Sequence, residues 1–199
     1  MLDTPPPRRR LRSRRVPTVL MGMAALALAA CEEDPTVQAQ AFPDLAACLN
    51  EADEADASFT AEDCETAFAA AQAAHLETAP RYEDEALCEE QHGGECIAEA
   101  RPGGSVFMPI LTGYLIGRAL SGGARPLLSQ PLVGRPGGFA TTTGDTRLST
   151  NTGSADMRAS AFRPGGSTRL APPLTRSVVA QTGGFGQTRT AIGGRGAGG

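Results

Sequence analysis

Ser105 to Leu120 reads S-V-F-M-P-I-L-T-G-Y-L-I-G-R-A-L, the most apolar stretch downstream of the first thirty residues. Its reading decides the fold class. Pro109 suits the first position of a helix, and Gly122-Gly123 suits its end. A helix of that extent covers ~12 residues, or ~18 Å, too short for the ~30 Å hydrocarbon layer of a membrane. Phe107, Ile110, Leu111, Tyr114 and Leu115 form one apolar stripe, while Gly113 and Gly117 leave a groove on another side. Such a groove permits close helix approach. The stretch therefore either packs on neighbouring helices or presents Phe107, Leu111, Gly113, Tyr114, Gly117 and Arg118 to a second copy of the chain or to the membrane interface beside a lipid anchor.

Upstream, residues 31–104 hold short helices with readable ends. Asp44 can cap a turn through Leu45, Cys48 and Leu49. Thr60 and Asp63 have the spacing of a capping box, opening an Ala-rich helix that Pro80 stops. Cys64, Phe68, Ala71 and His75 share one face of it. A third helix starts near Glu83 or Asp84, ends at Gly93-Gly94, and contains Cys88. Large apolar residues are few, so this head cannot supply more than ~3–5 kcal/mol from its core alone. Cys48, Cys64, Cys88 and Cys96 are an even number in a chain that carries export signals, which implies two disulfides. The local pairing, Cys48 with Cys64 and Cys88 with Cys96, is expected because each pair brackets one turn between helices.

Downstream, residues 121–199 contain seventeen Gly and six Pro. Arg-Pro-Gly-Gly occurs at Arg101, Arg135 and Arg163, and Gly-Gly-Phe at Phe139 and Phe185, without a fixed period. This composition predicts a disordered Gly/Arg/Thr-rich tail. The fold class expected is thus mainly α: residues 31–104 a disulfide-stapled helical head, 105–132 an apolar helix with Gln130-Pro131-Leu132, and 133–199 a structureless basic tail.

The first thirty residues read as an address. Arg8 to Arg15 are strongly basic, Val16 to Ala30 are mostly apolar, and the run ends Leu28-Ala29-Ala30-Cys31. That order is a signal peptide, and its last four residues resemble the bacterial lipobox. The resemblance implies cleavage after Ala30 and acylation of Cys31, and several acyl chains on one residue hold a protein stably at a membrane. Ser13-Arg14-Arg15 is a weaker twin-Arg signal, with Pro17 where a large apolar residue belongs. The expected location is the cell envelope, lipid-anchored and facing the periplasm. Glu32 does not choose between inner and outer membrane.

Charge divides the chain as the elements do. Residues 1–30 sum to +5, 31–100 to −18 and 101–199 to +9, so the net −4 hides an acidic block joined to a basic one. Behind an export signal the polyanions that an Arg-rich tail meets are lipid headgroups, lipopolysaccharide, cell-wall material or the protein's own acidic segment, not nucleic acid. The two histidines have no nucleophile or ligand at a recognised spacing. His75 reads as structural, and His92 as a cation favoured at a helix C-terminus. Without a close Cys-x-x-Cys pair or an EF-hand loop, no metal or cofactor is expected. The chain reads as a non-enzymatic interaction module. The alternatives are a redox or metal-dependent periplasmic enzyme using the four cysteines, and an oligomerising assembly factor.

Several motifs together resemble the YgiB-like family of uncharacterised bacterial lipoproteins. They are Cys31, Thr66-Ala67-Phe68, Ala79-Pro80-Arg81-Tyr82, Cys88 followed by Gly94-Glu95-Cys96, Phe107-Met108-Pro109 leading into Gly113-Tyr114 and Gly117-Arg118, then Gln130-Pro131-Leu132 and Gly183-Gly184-Phe185-Gly186. The resemblance implies an envelope lipoprotein and supplies no reaction.

Overall fold

The computed structural model describes residues 34–119 and 126–186. Residues 1–30, read above as a signal peptide, Cys31 and residues 187–199 lie outside them. The order is β1 (Thr36–Phe42), α1 (Leu45–Ala52), α2 (Ala61–Thr78), α3 (Glu85–His92), β2 (Cys96–Arg101), β3 (Gly104–Pro109), β4 (Gly113–Ala119), β5 (Leu127–Arg135), β6 (Gly138–Thr141), β7 (Arg147–Leu148), β8 (Gly153–Arg158) and α4 (Arg176–Thr182). The expectation of a mainly α protein is overturned: the centre is a six-stranded antiparallel sheet ordered β7-β6-β5-β4-β1-β8.

The three upstream helices form where local chemistry dictates. Asp44 Oδ1 accepts from the Ala47 N–H at 2.8 Å and starts α1. Thr60 and Asp63 close a reciprocal capping box on α2, with N···O distances of 2.9 and 3.2 Å. Asp84 caps α3, and Gly93 ends it. The two disulfides join Cys48 to Cys64 and Cys88 to Cys96. The first ties α1 to α2, but the second ties α3 to a strand, not to a helix.

Downstream, the apolar run is two strands instead of one helix. Pro109 ends β3, and residues 113 to 117 of β4 are buried. The physical reason is burial on both faces. Tyr114 and Ile116 sit beneath α1 and α2 with Phe42, Phe59 and the first disulfide. Leu115 faces the opposite way, into Val37, Ala39, Ala41, Leu132 and Phe162. A central strand covered on both sides has no polar alternation and reads like a buried helix. Pro131 is tolerated inside β5 because β6 pairs only residues 132 to 135, leaving one side of Pro131 without a ladder partner.

Nor are residues 133–186 a structureless tail. Two of the Arg-Pro-Gly-Gly repeats are hairpin turns: Arg101 pairs with Gly104 and Arg135 with Gly138. Pro fixes the first turn residue, and the Gly after it takes a positive φ, +97° at Gly103 and +81° at Gly137. The expected boundaries at 104/105 and 132/133 coincide with the start of β3 and fall inside β5, so those segments are not separate bodies.

β7 and β8 are the outermost strands of the sheet, yet only residues 149–152 connect them. In a flat sheet of six strands at ~4.8 Å spacing they would be ~24 Å apart. The five steps from Leu148 to Gly153 span at most ~17 Å. The sheet must curl into an open barrel, with Leu148 and Met157 joining the inner cluster from its two edges.

A second layer is the β2–β3 hairpin with α3 and α4, gathered around Tyr82, Leu87, Cys88 and Val179. Tyr82 exchanges backbone hydrogen bonds with Phe107 at 2.8 and 2.9 Å. The buried Arg81 donates to Glu99 at 2.6 Å, to the Leu76 and Ala79 carbonyls at 2.7 and 3.1 Å, and to the Thr168 hydroxyl at 2.6 Å. It thereby clamps the end of α2 to the hairpin and to the segment before α4. Phe185 closes this layer, its ring 4.4 Å from that of His92.

A candidate binding cleft at the barrel edge

Along β1 the sequence T-V-Q-A-Q-A-F alternates, and so do its faces. Val37, Ala39 and Ala41 enter the barrel; Gln38, Gln40 and Phe42 point to the helix side. Register extends each row across three strands. Phe42 lies beside Tyr114, Gln40 lies between Ile116 and Ser154, and Gln38 between Arg118 and Asp156. Helices α1 and α2 roof the apolar end of this ladder. The polar end remains open as a cleft of about 350 Å³ lined by Gln38, Gln40, Phe59, Arg118, Ser154 and Asp156, among others.

The cleft's groups are held in place. Arg118 donates from Nη2 to Asp63 Oδ2 and lies 5.6 Å above the Phe59 ring. Burial alone would raise the Asp63 carboxyl. The Thr60 N–H and hydroxyl and the Arg118 guanidinium outweigh it and hold Asp63 below the usual carboxylate range. Gln40 donates from Nε2 to Glu51 Oε1 on α1. Gln38, Ser154 and Asp156 are exposed, with donors and acceptors turned to solvent. An amide, a hydroxyl, a carboxylate and a positioned guanidinium can bind a polar ligand through hydrogen bonds and one charge contact.

Of the candidates read from the sequence, Arg118 alone reaches this cleft. Gly113, Tyr114 and Gly117 are buried in β4, so the groove expected to mediate self-association is filled by the chain itself. A Cβ at Gly117 would meet Val37 Cγ1 at 2.7 Å and Phe162 Cζ at 2.8 Å. Phe107 packs on the Tyr82 cluster, and Leu111 is half-buried in the β3–β4 connection. Cys48, Cys64 and Cys88 are buried, Cys96 is half-buried, and all four are in disulfides. The polar half of the cleft was not read from the sequence. The Gln38/Gln40 alternation was its visible signal, whereas the contribution of β8 is not visible locally.

Neither histidine lines the cleft. His75 Nε2 lies 2.9 Å from the Pro109 carbonyl, and burial lowers its pKa, which the Pro109 hydrogen bond partly opposes. His92 Nδ1 lies 2.8 Å from the Gly134 carbonyl and Nε2 lies 2.9 Å from the Tyr82 hydroxyl. Burial pushes His92 down to about 4, so it is neutral and not the helix-end cation expected. Among the described residues no three metal-ligating side chains converge, and no helix is long and apolar enough to cross a membrane.

The family model described as "Protein of unknown function (DUF1190)" matches residues 36–194, which takes in both layers of the fold. The chain belongs to this family. A UPF0441 protein of Sodalis glossinidius is 31% identical over 190 residues, covering 88% of this chain and 82% of the relative. A UPF0441 protein of Erwinia tasmaniensis is 32% identical over 193 residues, covering 86% and 80%. One from Pectobacterium carotovorum is 32% identical over 196 residues, covering 88% and 81%. No solved structure matches the chain. The DUF1190 description and the relatives' printed names state no activity.

Proposed function

We propose that this DUF1190 member is a lipid-anchored protein of the cell envelope whose folded body is a binding module for polar envelope polymers, not an enzyme. The cleft between the α1–α2 connection and β8 carries the reading. Its groups are hydrogen-bonding and charged, set on a rigid sheet, and Arg118 is oriented by Asp63 before any ligand arrives. Export is supported by the basic-apolar-lipobox order ending at Cys31 and by two disulfides, which persist in oxidising compartments. Their engagement in S–S bonds removes support from a thiol-based redox role.

Two measurements test this reading. Mass spectrometry of protein isolated from membranes is expected to give an N-terminal Cys31 bearing fatty acyl groups. Retention of residues 1–30 would remove the anchor from the proposal. In pull-downs with purified peptidoglycan or lipopolysaccharide, Gln38→Ala with Ser154→Ala is expected to lower retention about thirtyfold, since each exposed group contributes ~1 kcal/mol of net hydrogen bonding. Retention unchanged by that pair of substitutions would exclude the cleft as the binding surface.

A further inference from the structure

A second groove opens at the seam of the barrel, towards the end of β8, and shares Asp156 with the first. Residues of the β6–β7 turn, β8 and the turn after it line a volume of about 580 Å³. Its charged side chains are Arg147, Arg158 and Arg163 with Asp145 and Asp156. The three arginines are exposed, and none has a carboxylate within 4 Å among the described residues. Guanidinium groups in such a groove match phosphate oxygens, and the two carboxylates beside them match an ammonium group.

The place of this groove in the chain says which phosphate it meets. Asp34 Oδ1 accepts from the Ser160 N–H at 3.0 Å, and the Pro35 carbonyl accepts from the Ala159 N–H at 2.8 Å. Asp34 is held below the usual carboxylate range by its Ser160 hydrogen bonds and by the nearby Arg163 and Arg158. The chain therefore enters the fold at the arginine side of the groove. Only three Cα steps separate Asp34 from Cys31, a reach of at most ~11 Å. A protein acylated on Cys31 cannot place this face far from the bilayer surface.

We infer that the Arg147/Arg158/Arg163 groove binds the headgroup of a zwitterionic, phosphoethanolamine-type membrane lipid. The phosphate meets the guanidiniums and the ammonium meets Asp145 and Asp156, so the body sits in one orientation on the membrane. This inference rests on the lipid-anchor reading for its biological setting, but the headgroup site itself can be tested without it.

The mature protein, purified in detergent, is titrated with glycerophosphoethanolamine, glycerophosphocholine and inorganic phosphate while the arginine Nε–H resonances are followed by NMR. Glycerophosphoethanolamine is expected to shift the signals of Arg147, Arg158 and Arg163, with binding that weakens as salt rises. Arg158→Gln and Arg163→Gln should each weaken it about tenfold, and Arg176→Gln, remote on α4, should leave it unchanged. Glycerophosphocholine, which has no ammonium N–H, should bind more weakly, and Asp145→Asn with Asp156→Asn should erase that preference. Equal response to all three ligands would reduce the groove to an adventitious anion site, and unshifted arginines would overturn it altogether. Mass spectrometry that found no acyl group on Cys31 would remove the anchor while leaving a positive titration standing.

Discussion

The Tyr82 hydroxyl lies 2.9 Å from His92 Nε2, and the other ring nitrogen of His92 lies 2.8 Å from the Gly134 carbonyl. A carbonyl only accepts, so Nδ1 carries the proton and Nε2 accepts from the tyrosine. One neutral imidazole thus joins α3, the segment before it and β5 inside a region closed to water. Tyr82→Phe leaves Nε2 buried without its donor and is expected to destabilise the fold by about 1–3 kcal/mol. Denaturant titration followed by circular dichroism measures it, and an unchanged midpoint would mean that this hydrogen bond does not contribute.

The same burial makes stability depend on pH. His92 is lowered to about 4, and His75 is lowered in the same direction. Unfolded, each titrates near 6.5, so between about 6.5 and 4 the unfolded chain binds protons that the folded chain refuses. Stability is full above about pH 6.5 and declines on acidification towards pH 4, with His92 contributing roughly 3 kcal/mol over that span. Melting temperatures recorded from pH 7.5 to 4.5 should fall steadily below pH 6.5. His92→Gln should flatten that dependence while lowering stability at pH 7.5.

Tyr114 behaves oppositely to Tyr82. Its ring packs between Phe42 and Phe68, with centroids 5.8 and 5.5 Å away, but its hydroxyl has no hydrogen-bond partner among the described residues. Burial, with Asp44 nearby, raises it to about 12. An unsatisfied buried hydroxyl is a cost, so Tyr114→Phe is expected to be neutral or to stabilise by up to ~1 kcal/mol. A clear loss of stability in thermal melts would reveal a partner for that hydroxyl.

Gly117→Leu separates a packing role from an interface role. The side chain would have to displace Val37 and Phe162 from the barrel interior, an overpacking that costs about 3 kcal/mol. The expected outcome is a lower urea midpoint. A folded, equally stable variant with altered cross-linking would restore the self-association face read from the sequence.

The two disulfides should contribute unequally. Cys48–Cys64 closes a separation of 16 residues and Cys88–Cys96 one of 8. Loop-closure entropy then gives about 3 and about 2.5 kcal/mol. Paired Cys→Ser replacements, compared by denaturant midpoint, should rank in that order.

Local chemistry explains which parts were legible. Asp44, the Thr60/Asp63 box, Asp84 and Gly93 act on backbone groups within four residues, so α1, α2 and α3 could be placed from sequence alone, and so could the local disulfide pairs. The 105–120 run could not, because its apolar character comes from neighbours on both faces of β4: the α1/α2 disulfide cluster on one and β1, β5 and Phe162 on the other. Arg-Pro-Gly-Gly misled for a related reason. Pro-Gly is a local turn signal and here closes hairpins between sequence neighbours, but the surrounding Gly-rich composition hid the strands on either side, whose apolar faces come from distant segments.

What the amino-acid order settled by itself was the helix ends, the local cysteine partners and membership of a family whose motifs run through most of the chain, because each depends on residues close together or on a specific order. Tertiary structure alone decided that the apolar run is extended, that Gly117 is a contact inside a barrel, and that Gln38, Arg118 and Asp156 share a cleft. The reason is pairing. A strand acquires its faces, and a cleft its walls, only when segments more than a hundred residues apart, such as β1 and β8, lie side by side.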